Sequence, residues 1–239
     1  MLTLSTETHQ KAIKMTSQAA NGIAPAHIIR QMVETGHIIA ETPLDVDQVQ
    51  PASLDLRLGE VAWRVRASFM PGPRHTVSDR LDQLALHKID LTDSAVLEVG
   101  CVYIVPLLEA LALDDTMSAA ANPKSSTGRL DIFTRVIADN AAEFDQVPAG
   151  YSGPLYAEIS PRTFPILVRT GSRLSQIRFR AGNVAPSDAL IHELHNQKPL
   201  VTSGDVSIDN GIALSIDLSS FGDNLPVGFR AKRYSGLVD

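Results

Sequence analysis

The run Lys124-Ser125-Ser126-Thr127-Gly128-Arg129 gathers two cations, three hydroxyls and a glycine in six residues. Such a run can surround a phosphate. Lys124 and Arg129 would supply charge-assisted bonds, the hydroxyls would donate to phosphate oxygens, and Gly128 would let the backbone come close. It is not a P-loop, because no spaced glycines precede the lysine. The same composition also suits a solvated turn that caps a strand. A second feature is Glu158, set in the apolar run Pro154-Leu155-Tyr156-Ala157-Glu158-Ile159-Ser160. A carboxylate there is expensive unless partnered. A positioned glutamate can take a proton from water and return it to a leaving group. Strand alternation equally allows a Glu that points outward from an exposed strand.

Between these features lies Val147-Pro148-Ala149-Gly150-Tyr151-Ser152-Gly153, preceded by Asp145. A hairpin of this kind can hold an aromatic ring beside a nucleobase or sugar, and as a plain turn it would read much the same. Zinc-dependent nucleobase deaminases bind their metal through an H-x-E and a P-C-x-x-C pair. A chain with one cysteine, Cys101, cannot build the second half. His192-Glu193-Leu194-His195 lacks the H-E-x-x-H spacing and a third ligand. The remaining histidines, His9, His27, His37, His75 and His87, form no cluster. The expectation is no zinc. No Ser, His and Asp triad is legible from residue order, since triads are defined by geometry.

The elements that must position these groups are short and mainly β. The 239 residues, 44% of them hydrophobic, can bury one full core and begin a second. Ile28, Ile29, Met32 and Val33 share one face at helical spacing, with Gly36 as a C-terminal stop. From Pro51 to Val65 the period is two, with Leu54, Leu56 and Leu58 on one side and Ser53, Asp55 and Arg57 on the other. Further strands are expected over Val96–Val105, Leu130–Ile137, Gly153–Ile159, Phe164–Val168 and Leu174–Arg180, separated by Gly, Pro, Asp and Asn. Many short strands with turn punctuation indicate a distorted β-barrel or jelly roll preceded by one short helix. Residues 1–22 read as a polar arm, 23–182 as the β domain, and 183–239 as a linker leading into a probable second, incomplete repeat. The repeat is suggested by Ser215-Ile216-Asp217-Leu218, which echoes Ser53-Leu54-Asp55-Leu56.

Charge and hydropathy narrow the partners. A net charge of −6 argues against a nucleic-acid surface, which needs a basic stripe to displace counterions. A small anion can still be held by a local Lys and Arg cluster. The longest apolar stretch, Cys101 to Val105 with Leu107 and Leu108, is interrupted by Pro106 and ended by Glu109, far short of a membrane span. The first residues lack the pattern of a secretory signal, so a cytoplasmic location is expected. Cys101 is expected as a buried core thiol.

Pro51-Ala52-Ser53-Leu54-Asp55-Leu56-Arg57-Leu58-Gly59, Lys124-Ser125-Ser126-Thr127-Gly128-Arg129-Leu130 and Pro154 to Ile159 together resemble the dCTP deaminase family, in order and spacing, from about Ile23 to Arg180. The resemblance implies a trimer-forming, dUTPase-like β fold. It implies dCTP as substrate, held with Mg²⁺ and without zinc, and water attack at C4 of cytosine to give dUTP. By position, Glu158 matches the general base, Ser125 and the Ala138 carbonyl match groups that hold the water, and Arg129 matches the arginine that organises the site. Lys124 and Ser126 would be phosphate ligands, and Asp145 and Tyr151 would lie near sugar and base. Three departures stand out. Lys124 replaces the family's arginine, Gln146 and Val147 separate Asp145 from Pro148, and Asp139 to Glu143 lacks a basic residue. The tail from Gly211 resembles the start of a second copy, as in double-length members, and on that reading the chain is incomplete. The alternatives are a dUTPase or bifunctional enzyme using Asp145, and a nucleotide-binding module without turnover.

Overall fold

The computed structural model describes residues 21–182, 185–202, 206–216, 218–219, 226–232 and 236–239. Most of the expected N-terminal arm, residues 1–20, lies outside the described residues, as does Asp217 of the recurring tetrapeptide. The chain divides into two units. The first comprises the described residues up to Gly182 together with those of 231–239.

In chain order this unit runs β1 (Gly22–Ile23), α1 (Ala26–Glu34), β2 (Ile38–Ala40), β3 (Val49–Gln50), β4 (Ser53–Leu56), β5 (Val61–Val65) and α2 (Val77–Leu84). It continues through β6 (Ala85–Asp90), β7 (Ala95–Leu97), β8 (Val102–Ala112), β9 (Met117–Pro123) and α3 (Ser125–Arg129). It closes with β10 (Ile132–Ala138), β11 (Gln146–Val147), β12 (Ser152–Pro161), β13 (Ile166–Val168) and β14 (Ser175–Ala181). One sheet has the order β11-β9-β14-β4-β3, with β1 added to β14. The other has the order β10-β12-β8-β5-β6, with β2 added to β8. The strand pairs are antiparallel, and inward residues of both sheets form one large apolar core that includes Leu54, Leu56, Tyr103, Val105, Leu155, Ile177 and Phe179. The mainly β architecture is the one expected from the short punctuated strands.

The helix at Ile28–Val33 forms as α1, burying Ile29 and Met32, and Gly36 ends it in the left-handed region at φ 80°. α2 was not legible from periodicity. A reciprocal cap starts it, in which Thr76 accepts from the Asp79 N–H and Asp79 accepts from the Thr76 N–H. The expected strand Pro51–Val65 breaks at Arg57–Glu60 into β4 and β5. A Cβ at Gly59 would come within 2.8 Å of the Pro106 carbonyl oxygen, so only glycine lets these backbones approach. The strand expected over Val96–Val105 is likewise split, by a turn with Gly100 at φ 76°. Pro106 does not stop β8. It lies opposite Tyr156, next to the register shift between Pro154 and Tyr156, where its missing N–H interrupts no regular ladder. Cys101 is only partly buried, not the core thiol expected, and packs at the margin of the large core.

β4 is buried on both faces. Its apolar side enters the core, and its polar side is sealed by ion pairs. Glu109, fully buried, accepts from the Arg57 N–H at 2.8 Å, Arg57 Nε at 2.7 Å and Gln48 Nε2 at 2.7 Å. Arg57 also donates from Nη1 and Nη2 to the carbonyls of Pro43 and Thr42. This network satisfies a charge that would otherwise be prohibitive in the interior, and it pins residues 42–48 beside β4.

The second unit comprises the described residues between 183 and 230. Its helix α4 (Asp188–Gln197) is capped by Ser187, whose hydroxyl accepts from the Leu190 N–H. Asp188 accepts from the N–H groups of Asn210 and Gly211. His195 accepts from the Leu200 N–H. Among the described residues no helix is long and apolar enough to cross a membrane.

Candidate active site

Antiparallel pairing of β10 with β12 sets Arg135 directly opposite Glu158, and pairing of β12 with β8 sets Glu158 opposite Ile104. Period-two alternation then gives one face of this sheet Phe133, Arg135 and Ile137 from β10 and Tyr156 and Glu158 from β12. Ile104, Ile137 and Tyr156 join Val65 and the α2 residues Val77 and Leu81 in a second apolar cluster, with Trp63, Phe69 and Phe144 at its margin. Glu158 therefore stands on an apolar face, 1% exposed.

Its charge is answered from one side. Arg135 donates to Glu158 Oε1 through Nη2 at 2.5 Å and Nε at 3.2 Å. The guanidinium also donates to Ser68 Oγ at 2.8 Å and lies between two rings, 3.5 Å from the Phe144 centroid and 4.8 Å from that of Phe133. Rings and hydroxyl hold the arginine in place. Among the described residues Oε2 is buried without a protein hydrogen-bond partner. A buried carboxylate oxygen with no donor is rare, and it marks the place where a proton-bearing group can be received.

Asp145 lies beside this pair. Its backbone is left-handed at φ 61°, its N–H donates to the Val136 carbonyl, and its Oδ1 accepts from the Val136 N–H at 2.7 Å. Burial pushes its carboxyl above the usual carboxylate range, the Val136 N–H and Arg135 oppose that, and the Glu158 charge adds to it. Tyr151 is more structural than its sequence setting implied. Its hydroxyl accepts from the Asp139 N–H at 3.1 Å and donates to the Pro154 carbonyl at 2.5 Å, closing the hairpin. Burial pushes the phenols of Tyr151 and Tyr156 up to about 12.

The serine-rich run is not an open loop. It forms the single helical turn α3, with Lys124 in the cap position. Ser125, Ser126 and Arg129 are exposed on it, and Thr127 is buried. A Cβ at Gly128 would meet nothing within 4 Å, so no close approach requires glycine within the chain. Arg129 Nε donates back to the Ser125 carbonyl. The Lys124 ammonium pairs with the buried carboxylate of Asp55. The Ala138 carbonyl, at the buried end of β10, accepts a long 3.4 Å bond from the Ala141 N–H. Within the chain Glu158 is thus bonded by Arg135, with Phe144 stacked on that arginine and Asp145 close enough to feel the Glu158 charge, while Ser125 and Arg129 make no hydrogen bond to it. Arg135 escaped the sequence reading. The local signal is of the same kind as that of Glu158, a charge set among apolar strand residues, here Phe133, Val136 and Ile137 around Arg135. Among the described residues no three His, Cys, Asp or Glu side chains converge as a metal cage.

The family model for the 2'-deoxycytidine 5'-triphosphate deaminase N-terminal domain matches residues 20–183, and that for the C-terminal domain of the same enzyme matches residues 187–239. A dCTP deaminase of Halorubrum lacusprofundi is 30% identical over 160 residues, covering 66% of this chain and 75% of that protein. A protein of Beutenbergia cavernae named dCTP deaminase, dUMP-forming, is 28% identical over 152 residues, covering 63% and 75%. A solved 2'-deoxycytidine 5'-triphosphate deaminase from Agrobacterium tumefaciens superimposes with a TM-score of 0.77 at 62% identity, over 85% of this chain and 60% of that one. The chain thus spans about three fifths of that structure's length.

Proposed function

Since the chain belongs to the dCTP deaminase family, we propose that it hydrolyses dCTP to dUTP and ammonia, with Glu158 as the group that moves the proton. The observation that carries this reading is the Glu158 carboxylate itself, buried on an apolar face, held through Oε1 by Arg135 and bare at Oε2. In the reaction water adds to C4 of cytosine. Oε2 accepts the water proton as the C4–O bond forms. The C4=N3 π pair moves to N3 on addition; the tetrahedral centre then collapses to C4=O, the second water proton passes from the C4 hydroxyl to N3, and Glu158 returns the first to the amine, so that the C4–N bond breaks and ammonia leaves. Ser125 and the Ala138 carbonyl orient the attacking water, and Arg129 organises the site around it. Ser126, two residues past Lys124, marks the phosphate side, Asp145 and Tyr151 the sugar and base side.

Mg²⁺ bound with the triphosphate would shield the phosphate charge. Within the chain the exposed face of α3 and the Glu158 carboxylate are not joined by a hydrogen bond. This favours a homotrimer or similar oligomer, in which one copy can present its α3 to the Glu158 of another. A cytoplasmic location fits a soluble nucleotide substrate. Two alternatives, a dUTPase and a module without turnover, are not favoured. A diphosphohydrolase acting at the α-phosphate has no use for a buried glutamate with a free oxygen on the base side of the site, which is what Glu158 offers.

Purified protein is incubated with dCTP and Mg²⁺, and ammonia and nucleotides are followed by chromatography beside Glu158→Gln. Ammonia in step with dUTP, lost in the variant, is the expected result. Pyrophosphate with dUMP, or nucleotide binding without ammonia, would overturn it.

A further inference from the structure

Asp55 is 2% exposed on β4, and neither the Glu158 site nor the Arg57–Glu109 ion pair uses its carboxylate. Its Oδ2 accepts from the Lys124 ammonium and lies 3.9 Å from Arg173 Nη1. Arg173 is already committed, its fork closed on Asp47 at 3.0 and 3.1 Å. Lys124 is therefore the close partner of a buried anion, and a buried carboxylate without one is strongly destabilising.

The pair also has a definite place in the sheet. β4 and β9 flank β14 on opposite sides, with Asp55 and Asn122 both opposite Gln176. Two strand spacings, roughly 10 Å in all, separate those flanking strands. Lys124, just past the end of β9, crosses the start of β14 to reach Asp55. Its backbone N–H meanwhile donates to the Leu174 carbonyl at 2.9 Å. The residue that caps α3 is thus held at both ends, by backbone to the segment entering β14 and by side chain to β4. Ser125 follows it directly. From these contacts we infer that Asp55 and Lys124 are a positioning pair that fixes α3, and that the Lys124 ammonium is spent inside the fold instead of on the triphosphate. Lys124 then acts through the placement of Ser125 and Arg129, and the phosphate contacts fall to Ser126 and Arg129.

The kinetic part of the test rests on the deaminase reading, and the labelling part does not. Lysine amines of the full chain are methylated with formaldehyde and a borohydride, without nucleotide, and peptide mass spectrometry compares Lys124 with exposed Lys198. The pair predicts Lys124 labelled about tenfold more slowly, with Asp55→Asn bringing it to the rate of Lys198. Labelling of Lys124 as fast as Lys198 until dCTP is added would overturn the inference. Should Asp55→Asn not fold, Lys124→Met, at a partly exposed position, decides by kinetics. A positioning role lowers kcat about tenfold or more, keeps KM for dCTP within about threefold, and is rescued by Lys124→Arg. A direct phosphate ligand would instead raise KM about tenfold with kcat kept, which overturns the inference. If the unsubstituted protein releases no ammonia, the deaminase reading fails while the labelling result still decides the pair.

Discussion

Replacing Arg135 by methionine removes the cation bonded to Glu158 and leaves a side chain of similar length to fill the gap between Phe133 and Phe144. The Glu158 side chain is 2% exposed and that of Arg135 25%. Breaking a buried pair from one side costs about 3–5 kcal/mol. Because Arg135 sits at the edge of solvent, water can reach part of the vacated site, and about 2–4 kcal/mol is the expected loss. Glu158→Gln keeps the shape, removes the buried charge and leaves Arg135 with Ser68 and solvent, for about 1–2 kcal/mol. The double variant has no charge left unpaired in the interior. It should therefore be less destabilised than the sum of the singles by about 1.5–3 kcal/mol. The lone tryptophan, Trp63, lies on β5 opposite Ile104, which in turn lies opposite Glu158, so its fluorescence in a urea titration reports on this sheet. In thermal scans Arg135→Met should lower Tm by roughly 4–16 °C, taking about 2–4 °C per kcal/mol for a domain of this size. Additive singles, or an Arg135→Met variant as stable as the parent, would refute the claim that this pair supports the buried glutamate.

Other expectations follow from neighbouring groups. Asp145→Asn can still accept from the Val136 N–H, so ammonia release from dCTP should persist, whereas a phosphohydrolase route would lose pyrophosphate release; product chromatography separates the two. Because the Asp145 carboxyl is raised, its contribution to stability is fully present below the ordinary aspartate range and is lost as pH rises through the raised value. Urea midpoints across that window should therefore rise for Asp145→Asn relative to the parent. For Tyr151 and Tyr156, raised from 10.0 to about 12, the same sign holds: their stabilisation is present below pH 10 and disappears as pH climbs through about 12, which ultraviolet phenolate titration beside circular dichroism will follow. Glu109→Gln strips the charge that meets Arg57 in the interior and should cost about 3–5 kcal/mol, read by urea unfolding. Dialysis against a zinc-selective chelator should leave dCTP turnover unchanged, while removal of Mg²⁺ should raise KM for dCTP.

The class of fold and the residue types on which the chemistry rests can be read from the chain alone. Period-two alternation around Leu54 and Leu56, the helical spacing of Ile28 to Val33, and Gly36 are local signals, and they survive into the structure because backbone geometry follows from neighbours in the chain. Glu158 was legible for a similar reason, since a carboxylate among apolar neighbours is conspicuous wherever the strand is placed. What answers that carboxylate was not legible. Arg135 is 23 positions away along the chain, and only the β10–β12 register puts it opposite Glu158. The same holds for Lys124, read from its neighbours as a phosphate ligand and found bonded to Asp55, 69 positions earlier. Composition could say that the serine-rich run is polar and charged, but not that its lysine faces inward across β14. Tertiary structure decided which ionic groups are paired and which oxygen is left bare, because desolvation and strand register depend on residues far apart in the chain, and no local pattern carries that information.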